Sequence, residues 1–424
     1  MKRIKIFILL IVLTIITIYI PINIVFAENS EELNIYSEAA LLIDSNTDKI
    51  LYSKSATEKK YPASTTKILT AILTLENCEL DDVATVSQSA ISHIPTGYVI
   101  APLFIGEQIT IKDLLYALML KSANDAAYVL AEHVGGSVDG FSEMMNKKAE
   151  ELGCKNTHFV NPNGIHNQNH YTTAYDMYLI SDYAMKNETF AKIVSTYEYI
   201  LSPTNKYQRK DRIMKNTNNF VNPQNAYYNK SVNGIKTGTT KQAGNCLITD
   251  SAENGLEFIT VVLGAATSNS KFSETRKMIN YAFDNYKLIE LHKKGDVIQN
   301  IEVKKATKKT KNLNLVINDD ITSMANKKIK VDEIEPEIIL NDDIKAPIEQ
   351  GQELGIIKYN VDGIEYIAKL LAETDVELKT YYIEILVGIA VVIVLVVGVL
   401  IVRKKKRRKE NKIQMYWLYF WLEL

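Results

Sequence analysis

From Ile385 to Val402 every residue is apolar or glycine, and Arg403 to Lys409 then carry nothing but positive charge. An uninterrupted apolar run of that length is about what a helix needs to cross a bilayer core, so whatever the chain folds into must sit on one side of a membrane. The basic flank places the C-terminal end in the cytoplasm by the positive-inside rule. The alternative, a buried helix of a soluble protein, has no use for such a flank. At the other end Lys2, Arg3 and Lys5 precede the apolar run Ile6 to Tyr19 and the small-residue site Val25-Phe26-Ala27. That pattern reads as a cleaved signal peptide over residues 1–27, with an uncleaved anchor as the other possibility. Together the ends predict a single-pass protein of the cell membrane, with one span at 383–402, a basic cytoplasmic tail at 403–424 that ends in an aromatic stretch, and everything from 28 to about 380 on the extracytoplasmic face.

That outer portion is long enough for two domains. Lysine and arginine number 49 against 50 aspartates and glutamates, a net charge of -1, and no long basic patch lies outside the anchor, which argues against nucleic acid as a partner. The three cysteines, Cys78, Cys154 and Cys246, are too few for a disulfide framework and cannot all pair. They are expected to be small buried hydrophobes. His166 and His170 stand without nearby carboxylate or cysteine ligands, so they are expected at the surface rather than on a metal.

Apolar alternation in Ala39 to Ile43 and Ile50 to Tyr52, around the turn formers Asp44 to Asp48, predicts a β-hairpin. A helix follows, announced by Pro62 and carried by Ile68, Leu69, Ile72 and Leu75 at helical spacing. Further helices are expected at Ile111 to Ala131, Val138 to Leu152 and Thr173 to Met185, the last with Thr173 and Asp176 as a capping box. Strands at Asn245 to Ser251 and Leu256 to Leu263, then a helix at Phe272 to Asn285, complete an α+β domain over 28–290. Beyond about residue 296 short alternating runs, Ile298 to Val303, Leu313 to Ile317, Ile329 to Ile334 and Ile364 to Leu370, predict a small all-β domain over 296–376. It holds no cluster of catalytic residue types, so its expected task is to lift and orient the first domain above the membrane, with carbohydrate binding as a second possibility.

Ser64-Thr65-Thr66-Lys67 sits at the expected helix start, where a spacing of three brings the Ser64 hydroxyl beside the Lys67 amine. A serine attacks poorly unless a neighbour takes its proton, and a lysine can do so only where its surroundings keep it neutral. Alone, Ser-x-x-Lys is a weak signal. It is followed in order by Ser122-Ala123-Asn124, after an apolar helical stretch, and by Lys236-Thr237-Gly238-Thr239, which opens a strand. The three together form the signature shared by penicillin-binding proteins and class A β-lactamases.

With their flanks, Tyr61 to Lys67, Lys121 to Ala126 and Gly234 to Gly238, these segments resemble the D-alanyl-D-alanine carboxypeptidases among the low-molecular-mass penicillin-binding proteins, serine peptidase family S11. Asn161-Pro162-Asn163-Gly164 and Thr173-Ala174-Tyr175-Asp176 are similar to family landmarks as well. The likeness covers roughly residues 35 to 290, and Pro347 to Gly355 resembles the family's C-terminal β-domain. It implies a transpeptidase-like α+β fold and a membrane-bound cell-wall enzyme that removes the terminal D-alanine from peptidoglycan stem peptides and is acylated by β-lactams. By the same resemblance Ser64 is the nucleophile, Lys67 accepts its proton, and Ser122 passes a proton to the departing amine. Asn124 holds the substrate backbone and Lys67 in register, and the amides of Ser64 and Thr239 form the oxyanion hole. Lys236 and Thr237 bind the terminal carboxylate beside Gly238, and Lys271 is the nearest candidate for a further basic residue. Acyl transfer of this kind needs no cofactor or metal.

A serine β-lactamase shares the three motifs, but class A enzymes deacylate through a loop glutamate and a bound water, and the corresponding loop here, Lys155 to Thr173, has no Glu or Asp. A DD-endopeptidase would use the same residues on a longer substrate, and a catalytically dead wall-associated scaffold would not need them intact.

Overall fold

The computed structural model describes residues 33–422. The signal peptide expected over 1–27 lies outside the described residues. Two compact units divide between Lys287 and Leu288.

The first unit is built on a five-stranded antiparallel sheet. Its strands are β1 (Ala39–Asp44), β2 (Ile50–Lys54), β3 (Lys236–Thr240), β4 (Gly244–Glu253) and β5 (Leu256–Ala265), in the order β2-β1-β5-β4-β3. The hairpin expected from the first apolar runs is β1 and β2, paired from Ala40↔Lys54 to Ile43↔Ile50. The centre of the sheet joins the two ends of the unit, Ala39 opposite Leu263 and Asp44 opposite Phe258. That leaves β3, the strand carrying Lys236-Thr237-Gly238, at an edge.

Helices α1 (Lys67–Asn77), α2 (Ile111–Leu120), α3 (Asn124–Gly135), α4 (Val138–Glu151), α5 (Ala174–Met185) and α6 (Ser268–Asn285) surround this sheet. In α1 Ile68, Leu69, Ile72 and Leu73 are all buried in one core with Leu114, Leu115 and Leu118 of α2 and Val129 and Leu130 of α3. Burying each such side chain contributes about 2 kcal/mol, so the helix that bears Lys67 is fixed by its own apolar face.

Two helical expectations are corrected. Ile111 to Ala131 is two helices, because Ser122 stands between them in the left-handed region at φ 62°, which an α-helix cannot continue. The Thr173–Asp176 box is half formed: the Thr173 side chain accepts from the Asp176 amide, while the Asp176 carboxylate instead accepts from Asn156 N and the Thr157 hydroxyl at 2.9 and 2.7 Å. Of the cysteines only Cys246 is buried; Cys78 and Cys154 are partly exposed, and all three are free.

The second unit contains a sheet of β6 (Val297–Glu302), β7 (Asn312–Ile317), β8 (Glu337–Leu340), β9 (Glu353–Val361) and β10 (Ile364–Ala372), in the order β6-β7-β10-β9-β8. Leu313, Leu315, Ile357, Tyr359 and Leu370 are in its core. The strand expected at Ile329 to Ile334 is a 3-10 turn, Val331–Glu333, with no buried residue, while Ile321–Asn326 and Glu337–Leu340 are strands that the alternation did not single out.

One helix, α7 (Thr380–Leu422), closes the chain, long and apolar enough to cross a membrane. It does not stop at Val402. Its 43 residues make about 65 Å at 1.5 Å each, twice a hydrocarbon core, so the basic run and the aromatic stretch continue the same helix rather than forming a separate tail.

Candidate active site

Pro62 opens a 3-10 turn, Ala63–Thr66, that passes directly into α1. The Thr65 and Thr66 hydroxyls donate back to the carbonyls of Pro62 and Ala63 at 2.7 and 2.9 Å. Residues three apart eclipse one another in such a turn, and Lys67 Nζ lies 3.0 Å from Ser64 Oγ.

Lys67 is completely buried. Its Nζ also donates to Asn124 Oδ1 at 2.9 Å and to the Asn163 carbonyl at 2.8 Å. Asn124 is itself held, accepting from Asn163 Nδ2 at 3.0 Å and donating to the Val99 carbonyl at 2.9 Å. Both oxygens around Nζ can only accept, so they take two of its N–H bonds. The remaining direction faces the Ser64 hydroxyl, which can donate or accept. Burial first, and the positive charge of Lys236 second, push Lys67 well below the usual lysine range, against a smaller upward pull from Asp125. A neutral Lys67 keeps both carbonyl bonds and turns its lone pair to the serine, which is the geometry of a general base.

The second segment is shaped by the break at Ser122. Ser122 lines the same cleft as Ser64, while the next helix begins at Asn124. Asp125 fastens this corner: its buried carboxylate accepts from the amides of Ala101 at 2.8 Å and Leu103 at 3.2 Å. Those bonds tie down the loop whose Gly97, Tyr98 and Val99 form one rim of the cleft. Burial raises the Asp125 pKa even though the amides pull it down.

The third segment, β3, lies against the turn that carries Ser64. A Cβ on Gly238 would sit 2.9 Å from Ser64 N and 3.1 Å from the Pro62 carbonyl, so only glycine permits the approach. Lys236 is buried, donates to the Thr237 carbonyl at 3.0 Å, and is lowered to about 7 by burial and then by Lys271. The Thr237 and Thr217 hydroxyls are 2.6 Å apart.

A cleft of about 530 Å³ results, lined by Ser64, Ser122, Asn124, Thr237, Gly238 and Thr239 among others. Lys67 and Lys236 are not in its lining; both are buried. Lys271 is not in the lining either. It is buried on α6 with its ammonium 5.4 Å from the Phe272 ring centroid, and it reaches the site through its effect on Lys236.

Several residues of the site had no role in the sequence reading. Asn163 and Gly164 stood out only as landmarks. In the fold, Gly164 at φ 82° presses so closely on the nucleophile turn that a Cβ there would lie 1.8 Å from the Ala63 carbonyl. His170, expected at the surface, is buried at 1% exposure. Its Nδ1 accepts from Val160 N at 3.2 Å and its Nε2 lies 2.8 Å from the Thr66 hydroxyl, which assigns the proton to Nε2. Burial lowers its pKa to about 3, so it ties the loop to the nucleophile turn as a neutral ring. No group of three His, Cys, Asp or Glu side chains among the described residues is placed to hold a metal ion.

Comparison with known proteins gives two adjoining matches. A family described as D-alanyl-D-alanine carboxypeptidase matches residues 26–267, and one described as penicillin-binding protein 5, C-terminal domain, matches residues 286–378. The chain is 34% identical to the D-alanyl-D-alanine carboxypeptidase DacF of Bacillus subtilis, across 83% of this chain and 87% of that protein. It is similar in structure to penicillin binding protein 5 from Haemophilus influenzae, with a TM-score of 0.63, 28% identity and coverage of 81% of this chain and 98% of that one. The Streptomyces K15 DD-transpeptidase aligns with a TM-score of 0.55 and 33% identity, covering 59% of this chain and 98% of its own.

Proposed function

Since the chain belongs to the D-alanyl-D-alanine carboxypeptidase family, we propose that Ser64 is the nucleophile with which it removes the terminal D-alanine of peptidoglycan stem peptides. The observation that carries this assignment is the buried amine of Lys67, 3.0 Å from Ser64 Oγ with its other contacts taken by acceptors. Ser64 attacks the carbonyl between the two D-alanines, and its proton moves to Lys67. Ser122, which lines the cleft, delivers a proton to the departing amine. Asn124 holds Lys67 and the substrate backbone. The free edge of β3 offers the substrate an extended partner, and the Ser64 and Thr239 amides are the donors for the oxyanion, each worth a few kcal/mol of barrier.

Thr237 takes the terminal carboxylate in the field of two buried lysines. Lys236 is the nearer, and Lys271 behind it is a positioning residue that acts through Lys236. Among the described residues no Asp, Glu or His lines the cleft, and the carboxylate of Asp125 is occupied by amides. Water therefore meets no added base at the acyl-enzyme, and penicillin leaves a long-lived ester. For the whole chain we propose a single span in α7 with the catalytic unit on the extracytoplasmic face, supported by the basic run Arg403 to Lys409 at one end of the apolar stretch.

Intact mass of the detergent-solubilised chain after brief exposure to benzylpenicillin tests the assignment. A stable adduct on the wild type, absent from Ser64→Ala, is expected, together with D-alanine release from a pentapeptide. Rapid nitrocefin turnover without an adduct would point to a β-lactamase, and neither adduct nor turnover to a scaffold. For the topology, in a variant whose three native cysteines are replaced by serine, a cysteine placed in the basic run should resist a membrane-impermeant thiol reagent in intact cells; ready labelling would reverse it.

A further inference from the structure

Where the β-rich unit leads into α7, a cavity of about 410 Å³ carries Lys304, Lys305, Lys308, Lys311 and Lys379 in its lining against a single carboxylate, Glu302. Lys311 is paired with Glu302 at 3.2 Å. Lys304 faces Asp343 at 3.9 Å, and Asp343 is already held by Lys345 at 2.7 Å. Lys308 and Lys379 have no carboxylate partner among the described residues, and Lys305 has none within ion-pairing distance, sharing only the field of Asp343 with Lys345 and Lys304. Instead Lys379 lies 4.6 Å from the Tyr381 ring centroid and Lys305 5.8 Å from that of Tyr382, and both tyrosines line the same hollow.

The arrangement is built into the backbone. Lys379 N donates to the Lys305 carbonyl and Thr307 N to the Glu377 carbonyl, at 2.9 and 3.0 Å, so Lys304 to Lys311, a short basic run outside the anchor with five lysines in eight residues, is stitched to the residues that enter the helix. Lys305 holds a left-handed φ of 60°, a strained conformation for a non-glycine residue. Unneutralised like charges around a concave wall focus a positive potential that a compact anion relieves. The apolar helix begins next to Lys379, at Thr380, and tyrosines at such a boundary sit at headgroup level.

Resting on the membrane topology proposed above, we infer that this cavity binds the phosphate headgroup of an anionic phospholipid in the leaflet that α7 enters, and so clamps the β-rich unit to the bilayer surface. Each lysine near an anionic surface favours the docked state by roughly fivefold, and added salt weakens it.

The full chain is reconstituted in nanodiscs of phosphatidylcholine alone and of phosphatidylcholine with equimolar phosphatidylglycerol, and amide hydrogen exchange is followed over residues 302–311. Slower exchange, by several-fold, in the anionic disc is expected, and it should vanish in Lys305→Gln/Lys308→Gln/Lys379→Gln, a variant that still takes up benzylpenicillin. Equal exchange in the two discs, or a lipid dependence that survives the triple substitution, would overturn the inference and leave the span intact. Protection in the neutral disc on adding soluble polyglycerol phosphate, equal to that from the anionic lipid, would make the occupant a phosphate polymer and overturn the assignment to lipid. A chain that co-purifies with neither disc would refute the membrane topology, and this inference with it.

Discussion

Adding one methyl group at Gly238 tests the oxyanion assignment without touching a reacting side chain. A Cβ on the present backbone would sit 2.9 Å from Ser64 N, against an ordinary contact distance of 3.4 Å or more. The other two contacts, the Ala63 Cβ and the Pro62 carbonyl at 3.1 Å, close the sideways escape, so in Gly238→Ala the strand and the nucleophile turn separate by about 0.5 Å. Oxyanion donors work within a window of about 0.4 Å, and losing one costs about 10²- to 10³-fold in rate. Acylation by benzylpenicillin, followed by time-resolved intact mass, should therefore slow about 100-fold in Gly238→Ala. In Thr239→Ala, which keeps the amide and removes only the hydroxyl, it should fall no more than about threefold, a change of under 1 kcal/mol. Overpacking also costs stability, typically 1–3 kcal/mol, so each rate is referred to the folded fraction read from the unfolding curve. Acylation of folded Gly238→Ala at the wild-type rate would refute the placement of the oxyanion between Ser64 and β3.

Other outcomes follow from the buried charges. Lys67 must be neutral to accept a proton and Lys236 charged to attract a carboxylate, so kcat/KM for D-alanine release should rise with pH through the lowered Lys67 pKa and fall above about 7 as Lys236 deprotonates; a falling limb that stays in place in Lys236→Arg would contradict this. Asp250 is raised to about 7, chiefly by burial, so its contribution to stability is complete below its unfolded pKa and is lost as pH climbs through 7. Asp250→Asn should accordingly be more stable than the wild type at pH 8, by about 1–2 kcal/mol, with the gain gone at pH 4 in urea titrations; an equal gain at both would exclude the linkage. Removing the neutral ring in His170→Ala leaves the Val160 amide without its acceptor, takes from the Thr66 hydroxyl the N–H it accepts while its bond to the Ala63 carbonyl remains, and leaves a cavity, which should cost about 2–4 kcal/mol by denaturant unfolding, and an unchanged midpoint would show that the ring ties nothing.

The three chemical segments were legible because each is local: a serine and a lysine one turn apart, a serine and an asparagine at a helix start, a lysine and a glycine on a strand. What brings them together was not. The break at Ser122 is invisible to periodicity, since Met119, Ala123, Ala126 and Leu130 keep helical spacing through it; it is set by bonds that Asn124 and Asp125 make to the distant residues Val99, Ala101 and Leu103. His170 looked like a surface residue because nothing beside it in sequence satisfies it, and its partners Thr66 and Val160 are supplied by the fold. The strand expected near Ile329 fails for the opposite reason. Its alternating apolar side chains find no sheet neighbour, and the segment relaxes into a turn. The apolar stretch was readable to its limit, but helix propagation depends on backbone bonds and not on hydropathy, so the lysines and arginines after Val402 prolong the helix.

The pairing of β1 with β5 makes assembly of the enzyme an all-or-none event in time. Residues more than two hundred positions apart, Ala39 and Leu263, must meet before the sheet has a centre, and β3 reaches the nucleophile turn only from the far edge of that sheet. Long-range pairings of this kind form late and slowly. A chain synthesised only as far as α1 thus carries Ser64 and Lys67 without Asn124 and Asn163 to hold the amine, and an exposed lysine stays protonated and cannot act as a base. On the reading that Ser64 is the nucleophile, it gains its base only when the chain around Lys67 has closed, and the approach of β3 at Gly238 comes last.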